Sequence, residues 1–72
     1  SLEEYFENVQ VTENLHIAIS KLPEVQKRRL NNYYFEEKTF DKIALEEGCT
    51  YQCVQRSVYR AVAKIKSILE NL

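Results

Sequence analysis

The sequence predicts an all-α fold, a bundle of four or five short helices that closes with a C-terminal helix-turn-helix. Three observations carry that expectation. One Gly and one Pro in 72 residues are too few turn residues for a set of short strands. Apolar residues recur at helical steps of three and four along most of the chain. Hydroxyl residues stand directly before several of these stripes, where they can cap a helix. The length permits a single domain over residues 1–72. A chain this short buries only about 60% of its unfolded surface, which argues against a large catalytic cleft. With 44% hydrophobic and 29% charged residues, the composition is that of a soluble globular domain and disfavours disorder.

Taken in order, Leu2, Tyr5, Phe6 and Val9 form one apolar stripe, predicting a first short helix within residues 1–11. That helix either caps the small core or is the linker leading in from a missing upstream region. Val11 and Thr12 interrupt the pattern, and Thr12 is the expected N-cap of a second helix carrying Leu15, Ala18, Ile19 and Leu22. Pro23 stops it. Proline suits a helix start, so Pro23 and Glu24 open a third segment to about Phe35, with Val25, Leu30, Tyr33 and Tyr34 as its apolar members. At least one of those tyrosines is expected to be buried. After the polar connection Glu36 to Lys38, Thr39 is the expected N-cap of a short helix from Phe40 to Glu47 with Phe40, Ile43 and Ala44 inward, ended by Gly48. Thr50 then caps a long helix from Tyr51, whose buried stripe is Val54, Val58, Ala61, Ile65 and Leu69, widened by Val62, Ile68 and Leu72.

The net charge of −1 conceals an asymmetry. Residues 1–48 hold six basic and ten acidic side chains, net −4, whereas residues 49–72 hold Arg56, Arg60, Lys64 and Lys66 against Glu70 alone, net +3. A positive C-terminal segment on an acidic body is a candidate polyanion-binding face. The stretch from Thr39 to Ala61 has the anatomy of a helix-turn-helix, with small Ala44 where the helices would cross and Gly48 in the turn. Tyr51, Gln52, Gln55, Arg56, Tyr59 and Arg60 then point outward on the second helix. Gln and Arg reach base edges bidentately, and Arg also neutralises phosphate, so duplex DNA is the expected partner, with a plain helical interaction module built on an ordinary αα corner as the alternative.

The remaining residues have plainer readings. Cys49 and Cys53 are the only cysteines and His16 the only histidine, too few ligands for a structural zinc site, so no metal or other cofactor is expected. The two thiols read as small buried fillers, poorly placed for a disulfide, in a reducing cytoplasmic compartment. Lys27, Arg28 and Arg29 either form a solvated helix face or contact a polyanion. Glu36 with Glu37, and Glu46 with Glu47, read as solvent-facing charge, and His16 as a surface or boundary residue. Nothing supports nucleophilic, metal or acid-base catalysis, so no enzyme is expected. No stretch approaches the roughly 18 apolar residues of a membrane span. The absence of any Met implies a domain cut from a longer chain or a processed one.

Several segments taken together resemble a known family. Ala18-Ile19-Ser20-Lys21-Leu22-Pro23-Glu24, Arg29-Leu30-Asn31-Asn32-Tyr33-Tyr34-Phe35-Glu36, Thr39-Phe40-Asp41-Lys42-Ile43-Ala44, and Glu47-Gly48-Cys49-Thr50 through Val54 to Arg60-Ala61 resemble the fourth conserved region of bacterial RNA polymerase sigma factors of the sigma-70 family. In particular the chain looks like the short sigma-like regulators carried by phages and mobile elements of Gram-positive bacteria. The resemblance spans about residues 13–70. It implies recognition of the upstream (minus-35) promoter element by the second helix of the motif and docking on the β-subunit flap of RNA polymerase core. By position it places Tyr51, Gln52, Gln55 and Arg56 among base-reading residues and Lys38, Thr39 and Arg60 on phosphates; Lys64 is added to the phosphate set. Two features depart from the family: the last helix lacks the usual longer basic tail, and Glu47 stands where an apolar residue is usual. The polymerase-clamping and promoter-melting second region is absent from these residues. A monomer is expected on this reading. The alternatives are a homodimeric helix-turn-helix regulator independent of polymerase and a helical protein-interaction module.

Overall fold

In the computed structural model residues 9–71 are described, with side chains from Glu13 onward. Four helices follow one another: α1 (Val9–Ser20), α2 (Glu24–Tyr34), α3 (Phe40–Glu47) and α4 (Tyr51–Glu70). The first expected stripe falls largely outside this range, since Leu2, Tyr5 and Phe6 are not among the described residues. Helix α1 corrects the expectation at its start. It runs without a break through Val11 and Thr12, so Thr12 is a helical residue and not an N-cap. β-Branched residues cost a helix only tenths of a kcal/mol each, which a docked apolar stripe downstream easily outweighs.

The stripe in question is Leu15, Ala18 and Ile19, all buried, continued by Leu22 beyond the helix end. There the chain tightens, with the N–H groups of Lys21 and Leu22 donating to the carbonyls of Ala18 and Ile19, both at 3.1 Å. Pro23 adopts φ −54° and ψ 146° as the N-cap of α2, and its carbonyl accepts the first helical bond from the Lys27 N–H at 2.9 Å. Helix α2 turns a different face inward from the one its apolar residues suggest. Leu30 is fully buried, Gln26, Arg29, Tyr33 and Tyr34 are partly buried, and Val25 is 43% exposed. Positions 26, 30 and 33 repeat at four and three, and Val25 lies about 100° off that line. Neither tyrosine is fully buried. Tyr33 stacks on Phe40 at 4.2 Å between ring centroids and meets Tyr34 edge-on at 4.9 Å.

Between α2 and α3 the backbone turns at Glu37, whose φ of 57° is left-handed. Helix α3 begins and ends where its local signals demand. The Thr39 hydroxyl accepts the Lys42 N–H at 3.1 Å. At the other end Gly48, at φ 68°, supports the paired bonds of a Schellman stop, Cys49 N–H to Ala44 carbonyl at 3.0 Å and Gly48 N–H to Leu45 carbonyl at 3.4 Å. Thr50 opens α4 in the same manner, its hydroxyl accepting the Cys53 N–H at 3.1 Å.

Helix α4 packs against each of the other three, and α2 also touches α3. Its buried residues Val54, Val58, Ala61 and Ile65 meet Leu15, Ala18, Ile19, Leu22 and Leu30 on one side and Phe40, Ile43 and Ala44 on the other. Val62, Ile68 and Leu69 border this core half-exposed. Among the described residues no helix is long and apolar enough to cross a membrane.

Candidate nucleic-acid interface

Because α4 turns one stripe wholly inward, its opposite face is left to solvent. Gln52, Arg56 and Arg60 lie there, and Lys64, Tyr51 (40% exposed) and Tyr59 (62%) are exposed along its edges. The helix presents this face directly after the three-residue connection Gly48 to Thr50. Among the described residues Arg56, Arg60 and Lys64 form no ion pair or hydrogen bond, so their donors are uncommitted.

The expected site residues divide into four places. Gln52, Arg56 and Arg60, one turn apart in succession, line an open recess of about 560 Å³ together with Thr50. Tyr51, Gln55 and Tyr59 occupy the opposite flank. Gln55 is half-buried there, its amide donating to the Tyr59 hydroxyl at 3.4 Å, and both tyrosines meet Phe40 edge-on at 5.5 and 6.5 Å. Lys38 and Thr39 sit apart at the start of α3, and both are engaged. The Lys38 ammonium pairs with Glu46 at 3.0 Å, and the Thr39 hydroxyl serves as cap. Lys64 lies on α4 beyond the recess.

Sequence reasoning missed the residue at the centre of this region. Arg29 was expected either on a solvated face or against a polyanion, yet its side chain is only 11% exposed and reaches from α2 to both α3 and α4. Its Nε donates to Glu47 Oε1 at 3.0 Å, and Nη1 donates to Ser57 Oγ at 2.7 Å. The sulfurs of Cys53 and Cys49 lie 3.5 and 3.8 Å from its two terminal nitrogens. Glu47 is likewise no solvent-facing charge. It is 16% exposed and takes a second bond from Arg28 at 2.8 Å. The expected apolar filler role fits Cys49, half-buried against the core, but not Cys53, which is exposed. Both thiols are free, and among the described residues no three His, Cys, Asp or Glu side chains gather as metal ligands would. In the sequence the clasp shows only as an acid at the end of α3 and three adjacent cations on α2, with nothing to say which cation the acid meets.

The electrostatics follow the geometry. The Glu47 carboxyl titrates below its ordinary range, first because Arg28 hydrogen-bonds it, against the opposing cost of burial, and then because Arg29 does the same. For Arg29 burial is the largest influence and disfavours the charge, but the bonds to Glu47 and Cys53 together outweigh it and its pKa is raised. Arg28 is raised chiefly by its bond to Glu47. Arg29, Ser57 and Cys53 complete the lining of the recess, which thus contains three guanidinium groups and no carboxylate.

Comparison of the chain with family models, with curated proteins and with solved structures returns no match.

Proposed function

We propose that this chain binds duplex DNA, with α3 and α4 acting as a helix-turn-helix whose second helix enters the major groove, and that it reads promoters in the manner of a sigma factor. The supporting observation is the solvent-open face at the start of α4. Gln52, Arg56 and Arg60 stand there without partners among the described residues, beside an exposed Tyr51 and Tyr59. An α-helix with uncommitted Arg and Gln donors fits the width and the acceptor pattern of the major groove. On this reading Arg56 and Gln52 read base edges, with Gln55 and Tyr51 beside them, while Arg60, Lys64, Lys38 and Thr39 hold phosphates. Lys38 would exchange Glu46 for a phosphate. Promoter specificity and docking on polymerase core rest on the resemblance in sequence, and no catalytic role is proposed.

The test is affinity measured on selected and random duplexes over a salt series, after selection from a random library with and without polymerase core. Three cationic phosphate contacts, Lys38, Arg60 and Lys64, predict a slope of about −2.7 in log affinity against log salt, or about a 40-fold loss between 50 and 200 mM. Arg56→Ala should cost about 1–3 kcal/mol on the selected site and little on random DNA, with the slope unchanged. Equal loss on both, with the slope reduced by about 0.9, would move Arg56 to the phosphate set. Absence of DNA binding at low salt, with the chain folded, would refute the proposal. A selected sequence recovered only in the presence of core favours the sigma-type reading over a regulator independent of polymerase.

A further inference from the structure

We infer that the recess beside the first turns of α4 is a seat for one phosphoryl group, with Ser57 and Arg60 as direct ligands and Arg29 as the positioning residue behind them. The argument is an accounting of donors. Ser57 Oγ accepts the Arg29 Nη1–H at 2.7 Å. Ser57 donates to no described residue, so its own proton is free to point into the recess. Thr50 is in the same condition, because its hydroxyl accepts the Cys53 N–H and donates to no described residue. Arg56 and Arg60 add guanidinium donors, and no carboxylate lines the space. A site made of hydroxyl protons and guanidinium groups matches a ligand that only accepts hydrogen bonds and carries negative charge. The charge of Glu47 does not cancel this preference, since Arg28 and Arg29 share it on the far side of the Arg29 guanidinium.

Arg29 is too enclosed, at 11% exposure, to embrace a ligand itself. Its role is to occupy the Ser57 lone pair and so fix the direction of the hydroxyl proton. This inference deepens the DNA-binding reading, since a backbone phosphate beside the base-reading residues is one source of the group. A free phosphorylated compound that competes with DNA is the other.

The experiment uses the full chain, labelled with ¹⁵N, and inorganic phosphate as probe, followed by duplex DNA. Phosphate should shift the Arg60 side-chain Nε–H signal and the Thr50 and Ser57 amides along one saturable curve. Ser57→Ala should weaken phosphate at least about fivefold and weaken selected and random duplexes by a similar factor. Because it also takes the acceptor from Arg29, its thermal midpoint should fall, and binding is read at a temperature where circular dichroism shows the variant fully folded. Arg29→Met in combination with Glu47→Leu, which leaves no unpaired buried ion, should weaken phosphate as Ser57→Ala does. Adding Ser57→Ala to that pair should then have no further effect, a non-additivity that a purely structural role would not produce. Phosphate shifts without DNA binding would keep the seat and assign it to a free phosphorylated compound. DNA binding with no phosphate shifts at the recess, and with Ser57→Ala equal to wild type, would overturn the seat and leave the DNA reading standing.

Discussion

The most exacting prediction concerns the clasp of Arg29 on Glu47. The two side chains are 11% and 16% exposed and meet at 3.0 Å. Glu47→Gln keeps the shape of the side chain and one acceptor but removes the charge. A hydrogen bond to a charged group contributes about 1.5–3 kcal/mol, so the expected loss is about 2 kcal/mol. A 72-residue domain has a total stability of roughly 4–11 kcal/mol. The substitution should therefore lower Tm by roughly 8–16 °C and shift the urea midpoint, followed by far-UV circular dichroism at pH 7. Arg29→Met with Glu47→Leu removes both ions together, and a buried pair replaced by apolar residues is often neutral or stabilising. That double variant should lie within about 1 kcal/mol of wild type, above either single variant. The pH dependence has a fixed sign. The folded-state carboxyl titrates below its ordinary value of 4.5, so the clasp contributes fully above that pH and is lost as pH falls through the depressed value. Glu47→Gln should flatten this acid limb. An unchanged urea midpoint for Glu47→Gln, or a double variant less stable than both singles, would refute the reasoning.

The other predictions concern single positions. Glu37 holds φ 57°, a conformation that costs a side-chain-bearing residue roughly 1–2 kcal/mol. Glycine there gives back about 0.4–1 kcal/mol through the unfolded chain, so Glu37→Gly should raise stability by about 0.5–1 kcal/mol in urea titration. Gly48→Ala meets open space around the added carbon and suffers only from φ 68°, so it should cost about 1–2 kcal/mol and leave the fold unchanged by circular dichroism. With iodoacetamide, exposed Cys53 should react before half-buried Cys49. Mass spectrometry reads the order, and an adduct at Cys53, inside the recess, should abolish DNA retention in a gel shift.

The sequence was most legible where structure is decided locally. Helix α3 and the start of α4 fall at their expected residues, because Thr39, Gly48 and Thr50 act within a turn of themselves, through hydroxyl caps and a left-handed glycine. Thr12 carried the same signal and misled. A cap is only a preference of about 1 kcal/mol, and it yields where helix is continuous on both sides. Arg29 was legible as a charge but not as a contact. Three adjacent cations on α2 look equally solvated until Glu47 and Ser57 are brought to one of them by packing that the core dictates. The face of α4 was readable from its buried stripe alone, since whatever lies opposite Val54, Val58, Ala61 and Ile65 must meet solvent. Which flank of that face would be enclosed depended on Arg29 and on the Tyr33 to Phe40 stack, both of them tertiary facts.

That division of α4 has a mechanical consequence. At about 100° per residue, Val54, Val58, Ala61 and Ile65 centre on one side of the helix, and Gln52, Arg56 and Arg60 centre about 180° away. Substitutions on the outer face are thus separated from the core by the whole width of the helix, and should alter stability by less than about 0.5 kcal/mol. The two flanks between them are both tied. On one, Arg29 binds Ser57 and approaches Cys53; on the other, Tyr51 and Tyr59 rest edge-on against Phe40. A rotation of α4 about its axis that relieved one flank would break the other, so the direction of Arg56 and Gln52 is fixed from both sides. On the proposed DNA-binding reading, α4 would meet the groove with its orientation already set. The entropy of orienting it is then met on folding rather than on binding, as pre-organised recognition requires.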